Sequence, residues 1–291
     1  VLFFSVTGVY LISFNAFDIY FMAVVAILSL ILRVLNYPMP PLILGFILGG
    51  MLEKNLRRAI IINDGSSDAT KAIIESFVLH NKAHKILVYN RENFGVSISR
   101  NFGLKKASGS LIAFLDSDDA WHPEKIAKQL EILSVDASID LLGTNRDGQE
   151  FKRFFGFKIS ELMKISPKLL LYKNFFMTSS LIFKKSIIDK VGYFNEHMNH
   201  SEDWEYCIRI AQHFNVHLYN KSMVHSISGK AMFGESGLSA NLVKMQYGEL
   251  SNLRLGYRFG VVSFFEYLFL NLYSILKFVR RVLISILRKL S

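Results

Sequence analysis

The sequence predicts an α/β protein in which strands alternate with helices, preceded by an apolar segment and followed by a basic amphipathic tail. Three observations carry that reading. From Ala59 onward, short apolar runs alternate with stretches of helical periodicity, which argues for a parallel sheet covered on both faces. Residues 1–52 carry only two formal charges, Asp18 and Arg33, while the rest of the chain has the charge density of a soluble domain. Two of the apolar runs end in acidic turns, Asn63-Asp64-Gly65-Ser66-Ser67-Asp68 and Asp116-Ser117-Asp118-Asp119.

With 291 residues, 51% of them apolar, and a mean hydropathy of +0.28, the chain has ample material for a core and falls outside the disordered class. A single cysteine, Cys207, excludes an internal disulfide framework and reads as a small core residue. The apolar start divides into uncharged runs at 1–17, 19–32 and 34–52. A crossing needs roughly 20 apolar residues, so residues 1–58 are expected to hold two transmembrane helices. The break falls near Tyr37-Pro38-Met39-Pro40-Pro41, where prolines remove backbone donors. Lys54, Arg57 and Arg58 follow the last run and set that end on the cytoplasmic side. The expected location is the inner (cytoplasmic) membrane, with the next domain facing the cytoplasm. No basic region precedes the first run, as a cleaved secretory signal requires. The stretch from Arg33 to Ala59, including Pro41-Leu42-Ile43-Leu44-Gly45-Phe46-Ile47-Leu48-Gly49-Gly50, resembles the C-terminal part of the large permease subunit of tripartite tricarboxylate transporters. That likeness spans about residues 10–60.

The α/β domain is expected over residues 59–255. Strands are read at 59–62, 85–89, 111–115, 139–142 and 180–183. Helices are read at Thr70–His80, where Ala72, Ile73, Phe77 and Val78 recur at helical spacing, and at 96–107, 124–133 and 202–213. Pro123 is placed in the first turn of the third helix, where its missing donor costs nothing. Residues 256–291 are expected to form the basic helix. From Arg254 on, seven cations flank the apolar run 261–279 against one acid, Glu266, which suits an interfacial helix on an anionic leaflet. A helix capping the sheet, or a dimer contact, is the alternative. The net charge of +10 does not point to nucleic acid, because these cations border Phe- and Leu-rich runs rather than an open polar face.

Asp116 and Asp118 follow an apolar strand, and open α/β sheets bind ligands beyond the carboxyl ends of their strands. Such carboxylates can hold a hard divalent cation together with phosphate oxygens, or form a solvated acidic turn. Asp64 can accept from a nucleobase N–H or a ribose hydroxyl, or serve the turn with Gly65, while Asp68 reads as a helix cap. Arg100, within Arg100-Asn101-Phe102-Gly103, can reach a phosphate, with Gly103 allowing close packing. Glu202 and Asp203 open a helix, whose N-terminus favours the anion; a general base there needs burial to raise its pKa. Capping by Ser201 is the structural alternative. Trp204 is core or a stacking platform for a sugar, and His225 is a surface histidine or a metal ligand.

Taken in order, Asn63–Asp68, Arg100-Asn101-x-Gly103, Leu115-Asp116-Ser117-Asp118-Asp119-x-Trp121, Val191-Gly192-Tyr193-Phe194-Asn195-Glu196 and Glu202-Asp203-Trp204 resemble a family 2 glycosyltransferase over roughly residues 60–255. The resemblance implies a nucleotide-diphospho-sugar transferase (GT-A-like) mixed sheet with helices on both faces, and an inverting transfer to an acceptor hydroxyl on a glycan or lipid-linked acceptor. It implies Asp64 at the base, Asp116 at the ribose, Asp118 on Mg²⁺ or Mn²⁺ at the diphosphate, and Asp203 as catalytic base. Arg100, Glu202 and Trp204 are substrate-binding candidates, and His225 a second metal candidate in a loop over the diphosphate. The family's usual first βα unit is missing here, with the permease-like segment in its place, so the sheet is expected to show an open edge. An inactive fusion fragment and a nucleotide-sugar-binding pseudoenzyme are the alternatives.

Overall fold

The computed structural model describes residues 58–81, 85–154, 157–227 and 240–290. The membrane helices and the permease-like segment read at the N-terminus lie outside these residues, and among the described helices none is long and apolar enough to cross a membrane.

The domain opens with β1 (Ala59–Asp64), α1 (Thr70–His80), β2 (Ile86–Arg91) and α2 (Val96–Lys106). The first two strands pair in parallel as a small sheet of their own, Ile61 opposite Val88. Helix α2 lies against β1, and Gly103 permits it: a Cβ there would come 2.9 Å from Ile62 Cδ1. The acidic turn after β1 is built by its own side chains. Asn63 Oδ1 accepts from the Ser66 N–H, and Asp68 Oδ1 accepts from the Thr70 N–H at 3.0 Å, closing an Asx turn ahead of α1; the cap position itself falls on Ala69, which has no side chain to cap with, rather than on Asp68 as expected.

A second sheet carries the rest. Its members are β3 (Leu111–Ala113), β4 (Asp119–Trp121), β5 (Leu141–Arg146) and, after the short hairpin β6 (Arg153–Phe154) and β7 (Phe157–Lys158), β8 (Leu162–Lys164), β9 (Ile182–Lys184) and β10 (Val216–Ser226). The order is β3-β9-β5-β10-β4, with β8 also on β10. Only β5 and β10 pair in parallel, so the sheet is mixed rather than parallel. A short apolar run such as Leu111–Ala113 fits a strand in either orientation, and periodicity cannot tell the two apart. The longest strand, β10, carries His217, Asn220, Lys221 and Ser222, which hid it in the sequence; its buried Asn220 is satisfied by Asn145 Nδ2 at 2.6 Å and by the backbone of Phe151. Among the described residues β1 pairs only with β2, and β3 only with β9.

Helices α3 (Lys125–Val135), α4 (Pro167–Tyr172), α5 (Ile187–Val191) and α6 (Glu202–Ala211) cover this sheet. Helix α3 starts two residues beyond Pro123, which therefore lies outside its first turn. The main core joins Leu141, Phe183, Tyr206, Ile208, Val216 and Leu218, all essentially without exposure. Cys207 is buried among them, and burial pushes its thiol well up, as expected of a packing residue.

The tail differs from the single helix expected over 256–291. Helix α7 (Leu242–Arg258) takes in Arg254 and Arg258, turns at Gly260, and is followed by α8 (Phe264–Leu290). The two pack as an antiparallel hairpin around buried Glu249, which accepts from Ser274 Oγ at 2.7 Å and pairs with Lys277 at 2.6 Å and Arg281 at 2.9 Å. Burial works against the Glu249 charge, yet these cations more than offset it and hold the carboxyl below its ordinary value.

At Gly143 in β5, a Cβ would fall 2.2 Å from Phe176 Cδ1 inside the core. Gly143→Ala is therefore expected to destabilise the domain by about 1–3 kcal/mol, as overpacking does. Urea unfolding followed by tryptophan fluorescence measures this, and an unchanged midpoint would show that Phe176 yields freely.

Candidate active site

The site is assembled around one guanidinium. Arg100, on α2 and 11% exposed, donates from Nη1 to Glu202 Oε1 at 2.7 Å and from Nη2 to both oxygens of Asp116 at 3.1 and 3.0 Å. Burial opposes its charge, but Asp116 and Glu202 prevail and hold it above its ordinary range. The side chain read as a phosphate ligand is thus committed to two carboxylates, and it draws the turn after β3 and the start of α6 together. Its neighbour Asn101, buried, donates to the Phe194 carbonyl and accepts from the Phe194 N–H, which fixes the Gly192–Glu196 segment against α2.

Asp64 lies at the other edge. Its Oδ1 accepts from Ser99 Oγ at 2.6 Å and the Phe94 N–H, and its Oδ2 from the Gly95 N–H at 2.9 Å. Three of its roughly four acceptor positions are used in holding the loop before α2, which leaves about one for a ligand.

Beyond β3, the aspartates of the second turn have separate surroundings. Asp116 is partly exposed and paired with Arg100. Asp118 is exposed, with no hydrogen bond or ion pair from its carboxylate among the described residues. Asp119 is buried at the start of β4, and its carboxyl is pushed up to about 6, chiefly by burial, against the hydrogen bond from Ser179 Oγ at 2.6 Å. Ser179, fully buried, also accepts from the Asp116 N–H, and its carbonyl accepts from Trp121 Nε1. This residue ties the whole turn together, and the sequence offered no signal for it beyond small polar residues before an apolar strand.

Pairing of β10 with β4 sets His225 opposite Ala120, and in the turn before β4 the Asp118 carbonyl accepts from the Ile227 N–H two residues beyond His225. An exposed, unpaired carboxylate in this turn, with an exposed imidazole on the neighbouring strand, suits Mn²⁺ or Mg²⁺ that completes its shell with phosphate oxygens. Among the described residues no group of three or more His, Cys, Asp or Glu is placed to hold an ion by itself. The donor set thus fits a metal brought in with a diphosphate, and does not form a self-contained cage.

Asp203 stands in the first turn of α6, half-buried, at the wall of a cavity of about 780 Å³. Burial is the largest cause pushing its carboxyl up to about 7, with repulsion from Glu202 next; Arg100 and the Trp204 N–H, 2.7 Å from Oδ1, pull the other way. The expected Ser201 cap is absent. Ser201 has φ 59°, and its side chain makes no capping bond, because the left-handed backbone turns it toward α7. There Asn252 Nδ2 donates to the Ser201 carbonyl, and Gly248 leaves room: a Cβ would sit 2.6 Å from the His200 carbonyl oxygen. Trp204 is 5% exposed, and its indole N–H donates to the Leu170 carbonyl at 2.8 Å; it is core with one edge on the cavity.

If Asp118 ligates a metal, Asp118→Asn weakens binding of UDP or GDP in Mn²⁺ by about ten-fold or more. Titration calorimetry with and without chelator reads the effect, and identical affinities in all four conditions would make the acidic turn purely structural.

The geometry can now be set beside known proteins. The Bacillus subtilis (strain 168) protein TuaG, named as a teichuronic acid biosynthesis glycosyltransferase, is 41% identical over 75 residues, covering 25% of this chain and 29% of TuaG. Among solved structures, S. aureus TarS 1–349 superposes with a TM-score of 0.51 at 17% identity, covering 71% of this chain and 60% of that one. The mannosyltransferase PcManGT from Pyrobaculum calidifontis, solved with GDP-Man and Mn²⁺, gives a TM-score of 0.53 at 13% identity, covering 72% and 61%. The two structures establish a GT-A-like α/β fold, and the chain spans less than two thirds of the length of each of the three relatives. The model of glycosyl transferase family 2 matches residues 46–194, half of the sequence, and the chain belongs to that family.

Proposed function

We propose that the protein is an inverting glycosyltransferase that moves a sugar from a nucleotide-diphospho-sugar to an acceptor hydroxyl in cell-surface glycan synthesis. The observation that carries this is Asp203, a carboxylate in a cavity wall whose surroundings lift it to about 7. A base tuned to the working pH is what proton removal from a hydroxyl needs. The acceptor oxygen gives its proton to Asp203 and bonds to the anomeric carbon, while the bond from that carbon to the diphosphate oxygen breaks on the opposite side. Arg100 and Glu202 act on the Asp203 charge from opposite directions, Asp116 faces the ribose, and Asp64 the base through its remaining acceptor position. When bound at Asp118, with His225 beside it, Mg²⁺ or Mn²⁺ supplies positive charge that stabilises the departing nucleoside diphosphate. The names of TuaG, placed in teichuronic acid biosynthesis, and of a TarS structure holding UDP support the glycan and donor classes. We place the domain on the cytoplasmic face of the inner membrane; loss of membrane attachment on carbonate washing would overturn integral attachment through residues 1–52.

Asp203→Asn is expected to leave UDP binding in Mn²⁺ intact and to lower sugar transfer by about 10²–10⁴-fold. In the parent, kcat/KM should fall as pH drops through about 7, and the variant should lose that limb. Stability discriminates further. The folded state holds the Asp203 proton more tightly than the unfolded chain, so this group's contribution declines between its ordinary value and about pH 7. The variant should therefore match or exceed the parent's Tm at pH 8 and lose that advantage by pH 4. A variant that is less stable at pH 8 and loses activity only in step with unfolding would make Asp203 a structural residue.

A further inference from the structure

Lys125 opens α3 without any exposed surface, and burial alone pushes its amine down to about 7. Its Nζ donates to Gln129 Oε1 at 2.8 Å and stands 4.5 Å from the centre of the Trp121 ring. Among the described residues no carboxylate pairs with it. A core position that only needed filling would be held at lower cost by an apolar side chain of similar volume. What the amine touches gives it a task.

Gln129 is enclosed as well, and its amide is fully engaged. Nε2 donates to the Leu142 carbonyl at 2.9 Å and to the Ser180 carbonyl at 3.0 Å. The Lys125 donor satisfies the oxygen of that amide, which would otherwise be buried without a partner. The second neighbour, Trp121, donates from Nε1 to the Ser179 carbonyl at 2.7 Å. Two successive carbonyls of the turn Thr178–Ser180 are thus held by the two side chains that Lys125 touches. That turn reaches the candidate site. Ser179 Oγ accepts from the Asp116 N–H at 2.9 Å and donates to Asp119 Oδ2 at 2.6 Å, so it grips the acidic turn on both sides of Asp118.

We propose that Lys125 and Gln129 are positioning residues for the acidic turn: by way of Trp121 and the Thr178–Ser180 turn they set where Asp116 and Asp118 stand, and with that the hold on a metal-bound nucleoside diphosphate. The ligand rests on the transferase reading, whereas the placement of the turn does not. Fully enclosed, Lys125 meets no ligand and acts only through its neighbours. Outer partners of this kind fix the orientation of metal-binding side chains, and their loss typically weakens metal affinity by about 10–100-fold. A pair that merely filled the core would change stability when removed and leave the ligand affinity of the folded protein alone.

The full chain carrying Lys125→Met, which keeps the bulk of the side chain and removes its donor, is compared with the parent by UDP calorimetry in Mn²⁺ and in chelator. The gain in affinity that Mn²⁺ brings is expected to shrink by about ten-fold or more. The variant's Tm, by contrast, should match or exceed the parent's at pH 6 and lose that margin toward pH 10. Between about 7 and the ordinary lysine value the unfolded chain holds a proton at Lys125 that the fold rejects, so the parent gains stability as pH rises through that window. A weaker metal hold in a variant that is no less stable separates positioning from loss of fold. Trp121→Phe keeps a ring beside Lys125 and removes the N–H to Ser179; it should shrink the Mn²⁺ gain as well, and it decides the question if Lys125→Met does not fold. Exchange of the Asp116 amide proton, followed by NMR without nucleotide, should quicken in both variants. An unchanged exchange rate in the folded variants overturns the proposal, and so does an unchanged Mn²⁺ gain where the parent binds UDP. A parent that binds no UDP in Mn²⁺, with exchange still quickened in the variants, would sink the transferase reading while the placement of the turn stands.

Discussion

Everything at the site hangs on the burial of one positive charge. Arg100 is 11% exposed and has two carboxylate partners from parts of the chain far apart in sequence, Asp116 and Glu202. Two acids around one cation leave a net negative charge at a place where Asp203 must also fit, and so removal of the cation would strand the buried Glu202 carboxylate and leave its neighbours uncompensated. Breaking one side of such a buried pair costs about 3–5 kcal/mol, because the other charge is left uncompensated. The clamp is therefore less a source of stability than a device that fixes which residues can meet. It pins the turn after β3 to the N-terminus of α6, and with them Asp116 to the turn that carries Asp203.

The C-terminal hairpin belongs to the same construction. Ser201 adopts a left-handed backbone, a conformation that costs a non-glycine residue of order 1–3 kcal/mol. It is held there by α7, through Asn252 on its carbonyl and Gly248 against His200. That strained residue is two positions before Asp203, and it aims the first turn of α6 at the cavity that α8 closes. Helices α7 and α8 thus do two things, supporting the proposed base from behind and forming the wall it faces. A tail read in the sequence as an interfacial helix, with a cap on the sheet as the alternative, packs on the candidate site and forms part of its wall.

Much of this could be read in the residues, for reasons that differ by element. Helix α1 was legible to the residue because apolar side chains recur at helical spacing and the Asp68 turn precedes its start. Strands β1, β2 and β3 were legible as apolar runs, but their orientations were not, since pairing partners come from distant sequence. Strand β10 went unseen because its buried Asn220 is a polar residue that tertiary hydrogen bonds satisfy. At the site, Asp116, Asp118 and Asp203 were visible as acids at the ends of elements, while Ser179 was not, having no pattern around it. For Arg100 the sequence suggested a phosphate partner, because a lone cation on a helix carries no sign of the two carboxylates that the fold brings to it from distant segments. The family match, starting at residue 46, also reaches into the stretch whose wording resembled a permease.

The four acidic side chains show how one residue type is made to do different work. Asp116 is held on the Arg100 guanidinium through both of its oxygens, which fixes its orientation at the rim. Asp118 stands exposed and uncommitted, which is what a ligand to an incoming cation requires. Asp119 is buried on a serine hydroxyl with its carboxyl up at about 6, and its task is to hold the turn that presents the other two. Asp203 is lifted to about 7 and borders open space, so it alone combines a proton affinity near neutrality with access to a ligand. Environments that separate the properties of otherwise identical groups assign acid, base and ligand roles before any substrate arrives. The separation here follows from placement alone. Asp116 and Asp118 sit on the rim of the sheet where water reaches, whereas Asp203 is half-buried in the first turn of α6, and Arg100 is the cation that acts on Asp116, Glu202 and Asp203 together.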